Sequence, residues 1–353
     1  MITNDELYRL YQCFLSLGKL DSRYALVFVY NSPDGIDDLH KSECIYPTEY
    51  TMIINSFREI FQYTYSYDSE HLFVKSLDRL RLKHKFLLVY SMAQNIHGIG
   101  RRTLIPLLCK YYNLISIGSD EYNSFLSGNK YIMHRLLSKD AYFPKTIYFT
   151  NPGDYDYSRL ESIPLGKYII KPIDESASIG VEKLEMNSVN ELRIYLKEYE
   201  KQFHYFCLQE YIEGEEVEVP LLYILDDYYC PGVCKIEYLD NKDYLDYDSV
   251  GLDLYRFSKY SQETTSIIKS AITAANKLRF DTISRIDFRI KQSIPYLIDI
   301  GANPTISTHS STNYLFERDF GSKSSVYHLL VIRALIKEGL FKPPFNQPKQ
   351  YRI

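Results

Sequence analysis

Ser284-Arg285-Ile286-Asp287-Phe288-Arg289-Ile290 and Tyr296-Leu297-Ile298-Asp299-Ile300 are two alternating runs separated by Lys291–Pro295. Apolar and polar residues in strict alternation predict an antiparallel hairpin. With a five-residue loop, Ile290 faces Tyr296, Phe288 faces Ile298 and Ile286 faces Ile300, so one face is apolar. Asp287 then falls opposite Asp299 on the other face, with Arg285 two residues along the strand. Cβ atoms of such a pair lie ~4.5–5.5 Å apart, where like charges are unfavourable without compensation. A hard divalent cation, Mg²⁺ or Mn²⁺, supplies it and keeps coordination positions for phosphates. A surface pair relieved by Arg285 and Arg289 is the other reading.

Two stretches upstream bear on that choice. Lys171-Pro172-Ile173-Asp174-Glu175-Ser176-Ala177-Ser178-Ile179-Gly180-Val181 ends a strand on a lysine and returns through small residues. Such a loop lets backbone N–H groups approach an anion, with Lys171 as a point charge for phosphate, or it is a plain turn. Leu208-Gln209-Glu210-Tyr211-Ile212-Glu213-Gly214-Glu215-Glu216-Val217-Glu218-Val219 reads as an acidic hinge, its carboxylates able to accept from an adenine amino group or ribose hydroxyls. By itself it reads equally as a solvated acidic turn.

Outward from these segments, the apolar runs 24–30 and 85–91 read as buried parallel strands, with a short strand at 114–118 and helices around 48–61 and 102–113. A helix over 4–18 is capped by Asn4 or Asp5. From about 130 shorter elements follow: helix 130–139, strands at 147–149, 167–172, 181–184 and 205–210, and helix 188–200. An irregular stretch at 240–258, helix 261–279, the hairpin and helix 322–338 complete the chain. The fold class is α/β and α+β: a doubly wound parallel-sheet lobe followed by lobes of antiparallel strands. The expected divisions are a helical extension (1–19), a Rossmann-like lobe (20–128), a central lid lobe (129–212) and a C-terminal lobe with the metal and substrate site (213–353).

Composition narrows the classes. A chain of 353 residues exceeds one ordinary core, and a net charge of −4 marks no nucleic-acid or anionic-membrane binder. Thirty-five tyrosines and no tryptophan are a compositional bias spread along the whole length. The six cysteines are scattered, and Cys230 and Cys234 lack the second pair of a zinc site, so free thiols in a reducing cytoplasm are expected. No run reaches the ~20 apolar residues of a membrane span and no secretion signal is visible, so a cytoplasmic protein with small-molecule partners is expected.

Taken in order, with Asn129-Lys130 opening a helix upstream, these segments resemble the ATP-grasp superfamily, and within it the D-alanine–D-alanine ligase family. The resemblance runs collinearly over about 85–338. It includes Ile96-His97-Gly98, Ser116-Ile117-Gly118 running into Lys130, and Tyr244-Leu245-Asp246-Tyr247-Asp248, which is similar to the family's mobile omega loop. Leu297 to Ser310 resembles its metal-binding strand and substrate loop. The resemblance implies an ATP-grasp fold, with ATP and Mg²⁺ (or Mn²⁺) as cofactors and a homodimer through the first lobe. It implies that Lys130 and Lys171 bind phosphates, with Ser178 in the loop over them. Gln209, Glu210 and the Ile212 backbone would meet adenine, and Glu216 the ribose. Asp287 and Asp299 would hold magnesium, Arg285 would stabilise the transition state, and His97 and Ser310 would line the substrate site.

The chain also departs from that pattern. The second metal-binding strand carries Asp299 for glutamate and Gly301 for asparagine; Asn303, two residues on, replaces it only through a local kink. Thr305 stands where a glycine supports the oxyanion, Ala177 where the loop has serine, and Val250 and Gly251 where the omega loop has lysine and tyrosine. Arg101 and Arg102 replace an acid after the His-Gly segment, and face an acidic or larger acceptor or else lie in solvent. These changes gather on the substrate side. The expected function is an ADP-forming carboxylate–amine ligase on amino-acid or peptide substrates other than two D-alanines. The alternative is a degenerate nucleotide-binding regulatory or scaffolding module. A Rossmann-type dehydrogenase is disfavoured, because no G-x-G-x-x-G follows strand 24–30.

Overall fold

The structure, a computed structural model, describes residues 1–94 and 98–343. The first sheet is parallel, in order β2-β1-β3-β4, from β1 (Tyr24–Val29), β2 (Thr64–Tyr67), β3 (Phe86–Ser91) and β4 (Ile115–Ser116). Both faces of β1 are covered, which is why its apolar run is unbroken. Leu26 and Phe28 enter a core with helices α1 (Asn4–Ser16) and α2 (Pro47–Arg58). Ala25, Val27 and Val29 pack toward α3 (Glu70–Lys83) and α4 (Leu104–Tyr111). The sequence reading lacked β2 and α3. It also placed the first cap one or two residues late: Thr3 accepts from Glu6 N and closes a capping box.

Helix α5 (Glu121–Ser127) leads to α6 (Lys130–Leu137), capped by Asn129, whose side chain accepts from Ile132 N at 3.0 Å. The central sheet is antiparallel, in order β5-β8-β6-β7: β5 (Thr146–Phe149), β6 (Gly166–Pro172), β7 (Glu182–Met186) and β8 (Phe206–Glu210), with α7 (Val189–Tyr199) on one face. The third sheet runs β12-β11-β9-β13-β14, with β10 paired to β9. Its strands are β9 (Glu215–Ile224), β10 (Asp227–Tyr229), β11 (Cys234–Tyr238), β12 (Tyr255–Lys259), β13 (Ile283–Lys291) and β14 (Ile294–Gly301). The stretch at 240–258 is more ordered than its composition suggests, holding the short helix α8 (Tyr247–Gly251) and β12.

Helix α9 (Thr265–Leu278) covers the back of the third sheet, and Met133 and Leu137 of α6 join that same core. The helix expected to open the central lobe therefore packs with the C-terminal sheet. Two helices finish the described chain, α10 (Ser311–Phe320) and α11 (Ser325–Lys337); the first was not foreseen. Residues Ser325 to Leu335 are buried all round, because α11 is wedged against α1, α2 and the far end of β9. The C-terminal lobe thus closes back onto the first.

The hairpin corrects its expected register at one end. Arg285 pairs with Gly301, Ile286 with Ile300 and Asp287 with Asp299, as alternation requires. Nearer the turn Phe288 pairs with Leu297, Arg289 with Tyr296 and Ile290 with Pro295, one residue off the expected partners. The loop is two residues, Gln292 and Ser293, both left-handed at φ 51° and 63°. A bulge leaves Ile298 without a partner and restores the register by the time the strand reaches Asp299.

Candidate active site at the meeting of three lobes

The three lobes enclose a cavity of about 860 Å³. Its floor is the cleft face of β9, β13 and β14. Cross-strand register puts Glu218, Asp287 and Asp299 in one row, with Glu216 beside Arg289 one step along. Arg285 donates from Nε to Asp287 Oδ1 at 2.9 Å and from Nη2 to Oδ2 at 2.7 Å, and its Nη2 lies 3.4 Å from Glu218 Oε1. Burial pushes the Asp287 carboxyl above the ordinary carboxylate value, and Glu218 and Asp299 add to this against the pull of Arg285. Asp299 moves the other way. Burial disfavours its charge, but Lys130 and Lys171 outweigh that and hold it low. It is also open to the cleft, at 42% side-chain exposure.

Both expected phosphate lysines reach this place. Lys130, the first residue of α6, donates to the Glu175 carbonyl at 2.6 Å, and its Nζ lies 3.8 Å from Asp299 Oδ1. Lys171, at the end of β6, donates 2.9 Å to the carbonyl of Ile298, the residue the bulge leaves unpaired. Burial lowers the pKa of this lysine, so an anion that restores its partner charge is favoured beside it. The loop between β6 and β7 turns through Ala177 and Ser178 at φ 50° and 55°, and Ser178 lines the cavity. Gly180 is required there: a Cβ would lie 2.7 Å from the Phe203 ring.

The hinge holds the expected nucleotide residues. Gln209 is buried and donates to Thr146 Oγ1 at 3.1 Å; Glu210 and Ile212 line the cavity with it. Glu216 is buried, accepting from Tyr238 at 2.6 Å and Arg289 at 3.2 Å. Burial raises its pKa, and Arg289 opposes the rise. Arg289 also donates to the carbonyls of Gly214 at 2.9 Å and Asp243 at 2.8 Å, fastening the hinge to the segment before α8.

Asn303, Thr305 and Ser310 also line the cavity. Asn303 turns its amide to the Ser91 carbonyl at 3.1 Å, with its oxygen against Gly118, so it docks the substrate loop on the first lobe. The Ser310 hydroxyl caps α10, accepting from Asn313 N at 3.2 Å and donating to the Ser307 carbonyl at 3.0 Å. Thr305 is exposed on the cavity wall. His97 lies outside the described residues.

Arg101 and Arg102 are drawn into a clasp, with Arg102 still lining the cavity at 34% side-chain exposure. Arg101 donates to Glu43 at 2.8 Å and to Glu175 at 3.1 Å. Arg102 donates to Gln94 at 2.7 Å and to the Ser176 hydroxyl at 2.7 Å. Ser176 donates in turn to Glu43, whose side chain is 4% exposed. This clasp fastens the loop after β6 onto the first lobe. Sequence reading missed Glu43 because its partners lie 58 and 133 residues away. It missed Glu218 as a site residue, although the alternation Glu216-Val217-Glu218-Val219 already put both acids on one face.

Comparison with known proteins agrees with this geometry. Residues 162–331 match the sequence model of the family described as D-ala D-ala ligase C-terminus. Over 213 residues the chain is 28% identical to a D-alanine–D-alanine ligase of Flavobacterium psychrophilum, a match spanning 58% of this chain and 63% of that protein. The corresponding Aquifex aeolicus protein is 23% identical over 59% of this chain and 70% of its own. The chain thus spans just under two thirds of the first relative's length. The solved D-alanine–D-alanine ligase of Bacillus anthracis complexed with ATP superposes with a TM-score of 0.68, at 15% identity, over 90% of this chain and 99% of that one. The VanG D-Ala:D-Ser ligase of Enterococcus faecalis superposes at 0.63 with the same identity and coverage. Three sheets in this order, a lysine-bearing loop over a carboxylate-lined cleft and the match over 162–331 make the chain similar to the D-alanine–D-alanine ligases in fold and in its C-terminal sequence.

Proposed function

We propose that the chain is an ATP-dependent, ADP-forming ligase that joins a carboxylate to an amine through an acyl phosphate. The observation that carries this reading is the convergence of Lys130, Lys171, Asp287, Asp299 and Arg285 on one cavity. Asp287 and Asp299 suit the magnesium of Mg-ATP. Both oxygens of Asp287 take an N–H of Arg285, yet each keeps a second lone pair. Magnesium is commonly held by one or two carboxylates with phosphates and water, so Gly301 is no bar. When bound, the ion would offset charge on the β- and γ-phosphates.

Lys130 and Lys171 orient the phosphates and meet charge that develops as the bond to the γ-phosphorus breaks. A substrate carboxylate oxygen attacks that phosphorus and ADP leaves. The amine, having lost a proton, then attacks the acyl carbon; Arg285 and the Thr305 N–H are the candidate donors to the oxyanion, and phosphate departs. The clasp from Glu43 to Ser176 and the segment around α8 exclude water, which would otherwise hydrolyse the acyl phosphate.

The substrates proposed are amino acids or peptides other than two D-alanines. Ser310 is occupied as a cap, the two arginines after residue 98 are locked in the clasp, and Val250 and Gly251 carry no polar side chain. Hydroxylamine supplied in place of the amine tests the chemistry. An acyl phosphate is captured as a hydroxamate, and carboxylates from D-alanine to short peptides can be compared by yield. ADP formation without hydroxamate from any carboxylate would overturn the acyl-phosphate route.

A further inference from the structure

Glu218 has no place in the scheme above, yet it is the acid nearest the transition-state arginine after Asp287. It is 4% exposed on β9, in register with Asp287 on β13. A carboxylate so placed opposite another is unfavourable unless both are drawn to a common partner. That partner is Arg285, two residues along β13 on the same face: its Nη2 lies 3.4 Å from Glu218 Oε1 and also donates to Asp287 Oδ2, while its Nε donates to Asp287 Oδ1. The second oxygen of Glu218 accepts from the hydroxyl of Ser311, the first residue of α10. One buried side chain therefore joins the arginine of the floor to the helix that begins the substrate wall.

We propose that Glu218 is a positioning residue: it pins Arg285 against Asp287 and couples it through Ser311 to the start of α10, so that the arginine and the substrate loop keep one fixed spacing. This rests on the ligase reading, in which Arg285 faces the reacting acyl group. Two carboxylates meeting at its Nη2 leave the guanidinium little freedom to swing, and its remaining N–H groups keep a constant aim into the cleft. A glutamine at 218 can still accept from Ser311 through its single oxygen. Its amide then presents N–H groups to Arg285, and the grip is lost without loss of volume.

The test uses the full chain with Glu218→Gln, Glu218→Ala and Ser311→Ala, in two readouts. In amine-dependent ADP release, both Glu218 variants should lose ~10-fold or more in kcat with the KM for ATP within about twofold, because misaiming a group in the transition state costs rate and not nucleotide binding. Ser311→Ala should show a smaller loss of the same kind. In the ligand-free protein labelled with ¹⁵N-arginine, the Nε–H resonance of Arg285, assigned by its disappearance in Arg285→Lys, should be sharp in the wild type and broadened or shifted in Glu218→Gln. An unchanged resonance with wild-type kcat in Glu218→Gln overturns the proposal, as does a loss expressed wholly in the KM for ATP. If the wild type releases no ADP with any amine, the ligase reading fails instead, and the Arg285 resonance alone decides whether Glu218 positions it.

Discussion

The Nζ of Lys171 lies 2.9 Å from the carbonyl oxygen of Ile298, joining the central sheet to the one residue of β14 that the hairpin bulge leaves unpaired. The bulge therefore does two things: it returns Asp299 to register with Asp287, and it aims a free carbonyl at the lysine across the cleft. The hydrogen-bond acceptor of this buried ammonium is neutral and Asp299 offsets only part of its desolvation, so phosphate is a better partner than the carbonyl.

Lys171→Met should therefore weaken Mg-ATP binding by roughly 100-fold, the loss expected of a desolvated charge on phosphate. It should leave the melting temperature of the ligand-free protein unchanged or raised, since a buried charge is replaced by an apolar chain of similar length. Calorimetric titration and thermal melts read the two effects. A marked fall in melting temperature without ATP would mean that the lysine serves the fold.

Magnesium binding should depend on pH through Asp287. Its carboxyl is raised to about 8, and a proton there competes with the ion. Below that value the affinity for Mg²⁺ should fall by up to about tenfold per pH unit, and above it the dependence should flatten. The same raised value means that the ligand-free fold gains from this group as pH falls through 8 toward the unfolded carboxylate value, and loses it as pH rises. Asp287→Asn should abolish the pH dependence together with tight binding. Equal affinities at pH 6 and pH 9 in the wild type would contradict the assignment.

Gly214 should tolerate no side chain. A Cβ there would lie 2.0 Å from the Ile290 carbonyl oxygen, inside backbone that cannot yield without moving the hinge or the hairpin. Gly214→Ala should cost about 3 kcal/mol of stability, at the upper end of ordinary overpacking penalties. Chemical denaturation measures it; a cost below about 1 kcal/mol would show that the hinge is looser than the structure indicates.

The clasp predicts a change of shape. Glu43→Gln removes the charge shared by Arg101 and Arg102, leaving the pair of Arg101 with Glu175 to hold the loop. The lid lobe should then swing away from the first lobe, raising the radius of gyration in small-angle scattering and the KM for ATP by roughly tenfold. Scattering identical to the wild type, with or without nucleotide, would contradict the clasp.

Much of this site was legible in the hairpin alone, because alternation at the Arg285 end of β13 depends only on side-chain period. The turn was not, since Gln292 and Ser293 carry none of the glycine or asparagine that marks a two-residue turn, and nothing local shows a bulge that offsets it. The short strand β2 is rich in tyrosine and half-buried, which leaves no period to read. Lys130 and Lys171 were expected from a motif order, and both line the cavity. The orientation of Asn303 and the pairing of Arg101 with Glu43 and of Arg102 with Ser176 depend on partners from distant elements, and no spacing within their own segments encodes those.

The central claim is amine-dependent cleavage of ATP at the γ-phosphate, and the most direct measurement is ADP release by the full chain with Mg-ATP across paired carboxylates and amines. The account predicts that at least one pair drives ADP release stoichiometric with amide formed, and that Asp287→Ala, still folded, gives none. Tight Mg-ATP binding with no amine-dependent ADP from any pair, or full activity in Asp287→Ala, would contradict it.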